Sequence, residues 1–416
     1  MMDYHKPYHV CTFRIIALML IVVPSLFVSC SVHANEIPLG EVREFENGKA
    51  YKTGDNAYWV LTLNGTWQEM GRQYGGLVGG ELCRFYMDIS RDIADRGMGY
   101  DEQLESAKAL ASNLSSNLND LLKGIAETSG LNKDEVLILN ASMSSLAGLA
   151  LGLETPSACS GLAVWDKYTT DGTLVFGRNW DIDRKSMQEY MKYLSVVVFN
   201  PDSGNAFANV HPLGSVYLET GMNDKGLFLE LNNGMSSDPQ YIEDREDTIS
   251  VLVAALNECS TISEASKYLS DIPADLSHII QIADGSECVS VERATFGARV
   301  RTTEQKGVLA AYNSFVPPYP EEWKGRVTDP PAKEDDPRYD NLINLANSRE
   351  FFGKLDVSGM KRLMDVEVRH GGAVHKGTVY QVIAVPERLT LWIRALDYSD
   401  WQQVDLKDLF GIRQFP

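Results

Sequence analysis

Histidine and cysteine, the side chains of most metal and redox sites, are scarce in this sequence. Seven histidines occur in 416 residues, and beyond position 34 only His211, His278, His370 and His375 remain. No His-Glu-x-x-His pair and no Cys-x-x-Cys pair is present. Zinc and dithiol sites need such spacings, so no metal and no cofactor is expected. The cysteines are Cys11, Cys30, Cys83, Cys159, Cys259 and Cys288. Their irregular spacing in so long a chain excludes a disulfide scaffold, and whether Cys259 and Cys288 pair stays open. Positive charge is also in deficit. Lys and Arg number 38 against 57 Asp and Glu, a net charge of −19. That balance argues against nucleic acid and anionic membrane surfaces as partners. No Gly-x-Ser-x-Gly, no internal repeat and no low-complexity segment occurs.

Long apolar runs are nearly absent as well. The one that stands out, Ile15 to Val28, comes after a polar start with Lys6 and Arg14 and is interrupted by Pro24 and Ser25. Val32-His33-Ala34 then places Val32 and Ala34 at the −3 and −1 positions of a cut. The run is too short for a membrane span and reads as an export signal over residues 1–34. Phe27-Val28-Ser29-Cys30 supports an alternative, a lipoprotein anchored at Cys30. No integral membrane span is expected in the mature form.

Beyond residue 34 the chain is an ordered mixture of helix and strand patterns. After a polar lead-in over residues 35–55, Ala57–Leu63 reads as a strand. Within residues 65–86, Trp67, Met70, Tyr74, Leu77, Val78 and Leu82 recur at helical spacing. The glycines of that segment, Gly71, Gly75, Gly76, Gly79 and Gly80, weaken a helix and imply close approach to another backbone. They are no phosphate cradle, because no Lys-Ser/Thr or Gly-x-Gly-x-x-Gly element comes after a strand. Residues 101–127 and 133–151 read as further helices, with Asn132 capping and Glu135 three on.

Beyond Pro156 the pattern turns to strands. These are Tyr193–Asn200, Ala206–Val210, Ser215–Glu219, Gly226–Leu231, Ile279–Ala283, Val289–Glu292, Ala298–Thr302, Gly307–Tyr312, Val379–Val385 and Leu389–Ala395. Thr248–Cys259, Ile262–Leu269 and Asp340–Phe352 keep helical spacing, and residues 316–337 form a loop rich in Pro and acid. Antiparallel hairpins with interspersed helices make a layered α+β fold.

The boundary between the two regions carries the chemistry. Thr155 to Asp183 reads TPSACSGLAVWDKYTTDGTLVFGRNWDID. Two short apolar runs flank the turn at Thr170-Asp171-Gly172, the pattern of a β-hairpin. Such a hairpin returns Arg178 and Asp181 to the side of Cys159. A thiol beside a cation is the composition of an activated-thiolate site.

Cys159-Ser160-Gly161, the Asp171-Gly172 turn and Gly177-Arg178-Asn179-Trp180-Asp181 resemble the cysteine N-terminal-nucleophile amidases. That group includes bile salt hydrolases, penicillin V acylases, acid-ceramidase-like enzymes and the acyl-coenzyme A:6-aminopenicillanic acid acyltransferases. The self-cleaving acyltransferase branch fits best, because Cys159 lies deep inside the chain, and the Gly-rich segment at 65–86 is similar to its opening. Ala158 departs from that branch, whose close relatives often carry Gly before the Cys. The resemblance implies a four-layer αββα sandwich preceded by a helical N-terminal region. It implies a cut before Cys159, with residues 35–158 as the α-chain partner and 159–416 as the catalytic β-chain.

The same resemblance implies the roles. Cys159 supplies the nucleophile, and its freed α-amine the base. Asp181 orients that amine, and Arg178 favours the thiolate and holds Asp181. GMNDKGLFLELNNG, residues 221–234, is similar to the segment with an oxyanion-hole Asn and points to Asn232, with Asn233 as the alternative. KGVLAAYNSF, residues 306–315, points to Asn313 in the same way. Arg338, in Asp336-Pro337-Arg338-Tyr339-Asp340, matches a basic residue on a helix. The implied substrate is a small N-acyl amide, cleaved at a linear amide bond by hydrolysis or acyl transfer.

A serine enzyme is a poor rival: Ser358 and Lys361 form a Ser-x-x-Lys pair, but Lys52-Thr53-Gly54 precedes it, the reverse of the order needed. The other rival is an exported, uncleaved, non-catalytic binding protein on a degenerate version of this fold.

Overall fold

The computed structural model describes residues 40–151, 159–303 and 305–411. These belong to one unit, Val32–Pro416. The whole leader 1–34, with Cys30, and the stretch 152–158, with Ala158, lie outside the described residues. Among the described residues no helix is long and apolar enough to cross a membrane.

Strands β1 (Arg43–Phe45), β2 (Gly48–Lys52) and β3 (Trp59–Gly65) come first. Four helices succeed them: α1 (Trp67–Asp95), α2 (Tyr100–Ser112), α3 (Ser116–Thr128) and α4 (Lys133–Leu151). The hairpin β4 (Ser160–Asp166) and β5 (Gly172–Asp181) leads through α5 (Arg184–Met187) into β6 (Leu194–Pro201), β7 (Phe207–Pro212), β8 (Thr220–Asn223) and β9 (Phe228–Asn233). Next come α6 (Thr248–Glu258), α7 (Ile262–Asp271), β10 (His278–Ala283), β11 (Cys288–Ala294), β12 (Gly297–Arg301) and β13 (Val308–Ala311). The chain closes with α8 (Arg338–Ala346), α9 (Val357–Met364), β14 (Thr378–Val385), β15 (Thr390–Ala395) and β16 (Gln402–Asp405).

Two sheets result. One runs β1-β2-β3-β6-β7-β8-β9-β10-β11-β12, the other β13-β4-β5-β14-β15-β16. They stack face to face. Phe176 and Phe228 meet across the interface with ring centroids 4.8 Å apart. Glu230 and Gln281 of the first sheet press so closely on Gly161 of the second that any side chain there would meet them at 2.2–2.5 Å. On the outer face of the second sheet, α8 and α9 bury Leu342, Ala346, Met360, Leu363 and Met364 against Leu162, Val164, Val175 and Ile383. On the outer face of the first, α6 and α7 are tied to the strands: Arg293 of β11 donates to Thr248 at 3.3 Å and to Ile272 O at 2.9 Å. The layer order is therefore helix, sheet, sheet, helix, an α+β sandwich preceded by a helical region.

The N-terminal helices explain the glycine-rich segment. A methyl at Gly71 would stand 2.1 Å from Leu121 O, and one at Gly124 would stand 2.2 Å from Gln68 O. So α1 and α3 cross backbone to backbone. Asn132 and Glu135 form the expected reciprocal cap of α4, at 2.8 and 3.1 Å.

Several expectations need correction. The helix expected over 101–127 is two, α2 and α3, because Ser115 caps a new start by accepting from Leu118 N. Ser215–Glu219 is not a strand; pairing begins at Thr220, in β8. Its backbone is instead held by the N-terminal helices: Val216 N donates to Asn140 Oδ1 at 2.9 Å, and Gly214 N to Tyr74 Oη at 2.9 Å. Part of the polar lead-in forms the strands β1 and β2, with β1 at the sheet edge. The pairing of Cys259 with Cys288, left open by the sequence, is not made: both are free.

Candidate active site

β4 and β5 pair antiparallel with Ser160 opposite Asn179 and Gly161 opposite Arg178. This register lays the end of β5 beside Cys159. Asp181 N approaches Cys159 Sγ at 3.5 Å, and the thiol lies 3.8 Å from Asp181 O. Behind it, Asn179 donates to Ser160 Oγ at 3.2 Å and accepts from Gln381 at 2.8 Å, and Gln381 also donates to Met364 O. The strand ends are thus fixed from the helix side.

Arg178 is wholly buried between the sheets. Its Nη2 lies 3.8 Å from Cys159 Sγ and donates to Leu231 O at 2.7 Å. Nη1 donates to Glu219 O and Thr220 Oγ1. Its counter-charge is Glu230, 3.3 Å from Nε and equally buried. This corrects one expectation: Arg178 does not hold Asp181. Residues three apart on a strand point to opposite faces, so Arg178 turns to the other sheet while Asp181 turns away. Burial lowers the Arg178 pKa, but the Cys159 and Glu230 charges more than offset it and leave it raised. Burial pushes Glu230 up to about 7, against the pull of Arg178. Cys159 is only 6% exposed, and burial pushes its thiol up to about 12 despite Arg178.

Asp181 has no solvent exposure, and among the described residues neither of its carboxylate oxygens has a hydrogen-bond partner. Its nearest charges are Arg338 Nη1 at 3.8 Å and, when protonated, His375 Nε2 at 3.3 Å, both from Oδ2. Arg338 opens α8. Its Nη1 donates to Cys159 O at 3.2 Å and reaches Asn313 Oδ1 at 3.4 Å. Asp336 grips the other side, with Nε to Oδ1 at 2.8 Å and Nη2 to Oδ2 at 2.5 Å. Burial works against the Arg338 charge, yet Asp336 leaves its pKa raised.

Asn313 lies just beyond β13, whose Ala311 is the register partner of Gly161. Its Nδ2 donates to Asn233 O at 2.9 Å, which leaves the second N–H of the amide. Asn232 is fully buried and donates to Glu230 Oε1 at 2.6 Å. Hence Cys159, Arg178, Asp181, Asn313 and Arg338 converge, while Asn232 belongs to the Glu230–Arg178 cluster between the sheets and Asn233 contributes its carbonyl to Asn313.

Three neighbours escaped the sequence reading: Glu219, Glu230 and His375. Glu230 had a signal, an acid inside the apolar run Phe228–Leu231. His375 had none, since no spacing links it to Asp181.

A family model, described as Acyl-coenzyme A:6-aminopenicillanic acid acyl-transferase, matches residues 168–392. The match contains every converging side chain except Cys159, which precedes it. An uncharacterized protein of Archaeoglobus fulgidus is 24% identical over 220 residues, 47% of this chain. The match spans about a third of that relative, 34% of its length. Among solved structures, a variant of conjugated bile acid hydrolase from Clostridium perfringens aligns at TM-score 0.42 and 17% identity, over 61% of this chain and 94% of that one. A Caenorhabditis elegans ortholog of N-acylethanolamine-hydrolyzing acid amidase gives 0.43 and 18%, over 60% and 100%. Penicillin V acylase from Agrobacterium tumefaciens gives 0.40 and 14%, over 61% and 88%.

Proposed function

This chain belongs to the acyl-coenzyme A:6-aminopenicillanic acid acyl-transferase family, and we propose that it is an exported, self-cleaving amidase acting on small N-acyl amides through Cys159. One observation carries the reading. Among the described residues, Asp181 is a fully buried carboxylate without a hydrogen-bond donor, at the side of Cys159. A buried charge left in that state is strongly unfavourable. Cutting the chain before Cys159 would create an ammonium group on the residue whose sulfur already touches Asp181 N, and so would supply the missing partner. Residues 35–158 then remain as an α-chain and 159–416 become the catalytic β-chain.

The steps derive from the groups present. In the intact chain the thiol is neutral at physiological pH, so self-cleavage loses the Sγ proton as sulfur bonds to the Ala158 carbonyl carbon. The C–N bond then breaks, the amine of Cys159 leaves with a proton, and water hydrolyses the resulting thioester. In the mature enzyme the neutral α-amine takes the Sγ proton while sulfur attacks the substrate acyl carbon. The free N–H of Asn313 faces the developing oxyanion, and Asn232 is the second candidate donor. Arg338 fixes the Cys159 carbonyl, and Arg178 stabilises charge on sulfur. Collapse expels the substrate amine with the proton held by the α-ammonium and leaves an acyl thioester. Water releases the acid; an amine acceptor in its place gives acyl transfer.

The test is amine release from a panel of N-acyl amides by the wild-type protein and by Cys159→Ala. Release by the first and not the second is expected. Equal release, or none across the panel by correctly cut wild-type protein, would contradict the reading.

A further inference from the structure

We propose that His375 is a positioning residue for Asp181: its Nε2–H holds one carboxylate oxygen and so presents the other to the α-amine of Cys159. This rests on the self-cleaving function proposed for the chain and adds a group that the sequence did not reveal.

The turn that carries His375 is built onto the end of β5. Thr378, the first residue of β14, is the register partner of Asp181. Ile182 N donates to Gly377 O at 3.0 Å. His375 N donates to Thr378 Oγ1 at 3.1 Å. Arg184 clamps the turn from outside, donating through Nη2 to His375 O at 2.8 Å and through Nε to Thr378 O at 2.6 Å. The imidazole therefore sits at a fixed place beside Asp181 rather than on a free loop.

The same turn sets the tautomer. Gly377 N–H donates to His375 Nδ1 at 3.0 Å. Nδ1 must offer its lone pair there, so the proton of the neutral ring resides on Nε2. Gly377 has to be glycine for this contact, because an added methyl would stand 2.6 Å from Cε1 and 3.0 Å from Nδ1. Nε2 lies 3.3 Å from Asp181 Oδ2. Both atoms are buried, and among the described residues neither has a hydrogen bond. A donor and an acceptor 3.3 Å apart, both unsatisfied, would pair on a rotation of the ring. Arg338 is a weaker candidate for the task. It stands 3.8 Å from the same oxygen, and its Nη1 already serves Cys159 O and Asn313.

A neutral donor suits the role. Nδ1 already accepts the Gly377 N–H, so the ring that offers Nε2–H to Asp181 is the neutral one. With the ring neutral, Asp181 keeps its full charge for the α-ammonium, tempered by one hydrogen bond. Loss of that bond makes the carboxylate hold the ammonium more tightly. The α-amine then needs a higher pH to become the base.

The experiment compares wild type, His375→Leu and His375→Gln. Intact mass first reports cleavage before Cys159, then kcat, KM and the pH profile of kcat/KM are measured on one N-acyl amide. In His375→Leu, kcat should fall about 10- to 100-fold, the scale of one hydrogen bond to a charged group. KM should change little, and the acid limb should move to higher pH. His375→Gln, whose Nε2 can take the place of the ring nitrogen, should restore the limb. If His375→Leu does not fold, Gly377→Ala, which displaces the ring, should give the same shift. An unmoved limb in a cut, slow His375→Leu or Gly377→Ala enzyme would reduce the residue to packing and overturn this proposal alone. An uncut wild-type chain would overturn the self-cleaving reading with it.

Discussion

Arg338 donates to the backbone carbonyl of Cys159 at 3.2 Å, across 179 positions of sequence. The same guanidinium meets Asn313 Oδ1 and both oxygens of Asp336. A planar fork can serve these partners together, and a lysine ammonium cannot. Arg338→Lys should therefore lower kcat for amide cleavage by about 10- to 100-fold, the worth of one or two charge-assisted hydrogen bonds. Steady-state amine release checks this, and near-normal turnover would leave Arg338 a structural residue.

Asp181→Asn should slow cleavage of substrate by about 100- to 10,000-fold, the usual scale for acid–base roles. The side chain keeps its size but loses the charge that orients the α-ammonium. Self-cleavage, tracked by mass over time, should be less affected than turnover, because no α-amine exists before the cut. Equal loss in both would place Asp181 in the precursor's chemistry instead.

For Asn313, removal of one oxyanion donor costs about 100- to 1,000-fold in kcat. Asn313→Ala should show that loss with KM little changed. Asn313→Asp should be worse, since it sets a carboxylate oxygen against both the oxyanion and Asn233 O, the present acceptor of Nδ2. An active Asn313→Asp would move the donor to Asn232.

Glu230 gives a stability signature. Its folded pKa, about 7, lies above the ordinary 4.5. Between those values the unfolded chain has lost a proton that the folded chain retains, so stability falls as pH rises through this window. In the uncut Cys159→Ala chain, thermal midpoints should decline from about pH 5 to pH 7 in part for this reason. Adding Glu230→Gln should flatten that decline, and an unchanged slope would assign it to other groups.

The sequence made the hairpin legible because its signals are local: two apolar runs, a Gly turn, and a register that a turn sets. Cys159, Arg178 and Asp181 could be placed together from that alone. Their partners could not. Alternation along β5 already separates Arg178 from Asp181 onto opposite faces, but which sheet each face meets depends on stacking that no short stretch encodes. The pairing of Glu230 with Arg178 therefore surfaced only with the fold, as did His375, whose approach to Asp181 is made by β14 pairing from far along the chain. The strand expected at Ser215–Glu219 failed for a related reason. Its apolar run, Val216-Tyr217-Leu218, is real, but Asn140 of the helical region claims the Val216 N–H, and Tyr74 that of Gly214 just before it.

The central claim is that Cys159 becomes a chain terminus. Intact mass and N-terminal sequencing of the wild-type protein, purified from an exporting cell beside Cys159→Ala, test it directly. The account predicts two associated wild-type chains, one ending at Ala158 and one beginning at Cys159, and a single chain for Cys159→Ala. A wild-type protein that hydrolyses N-acyl amides while the Ala158–Cys159 peptide bond remains whole would contradict it.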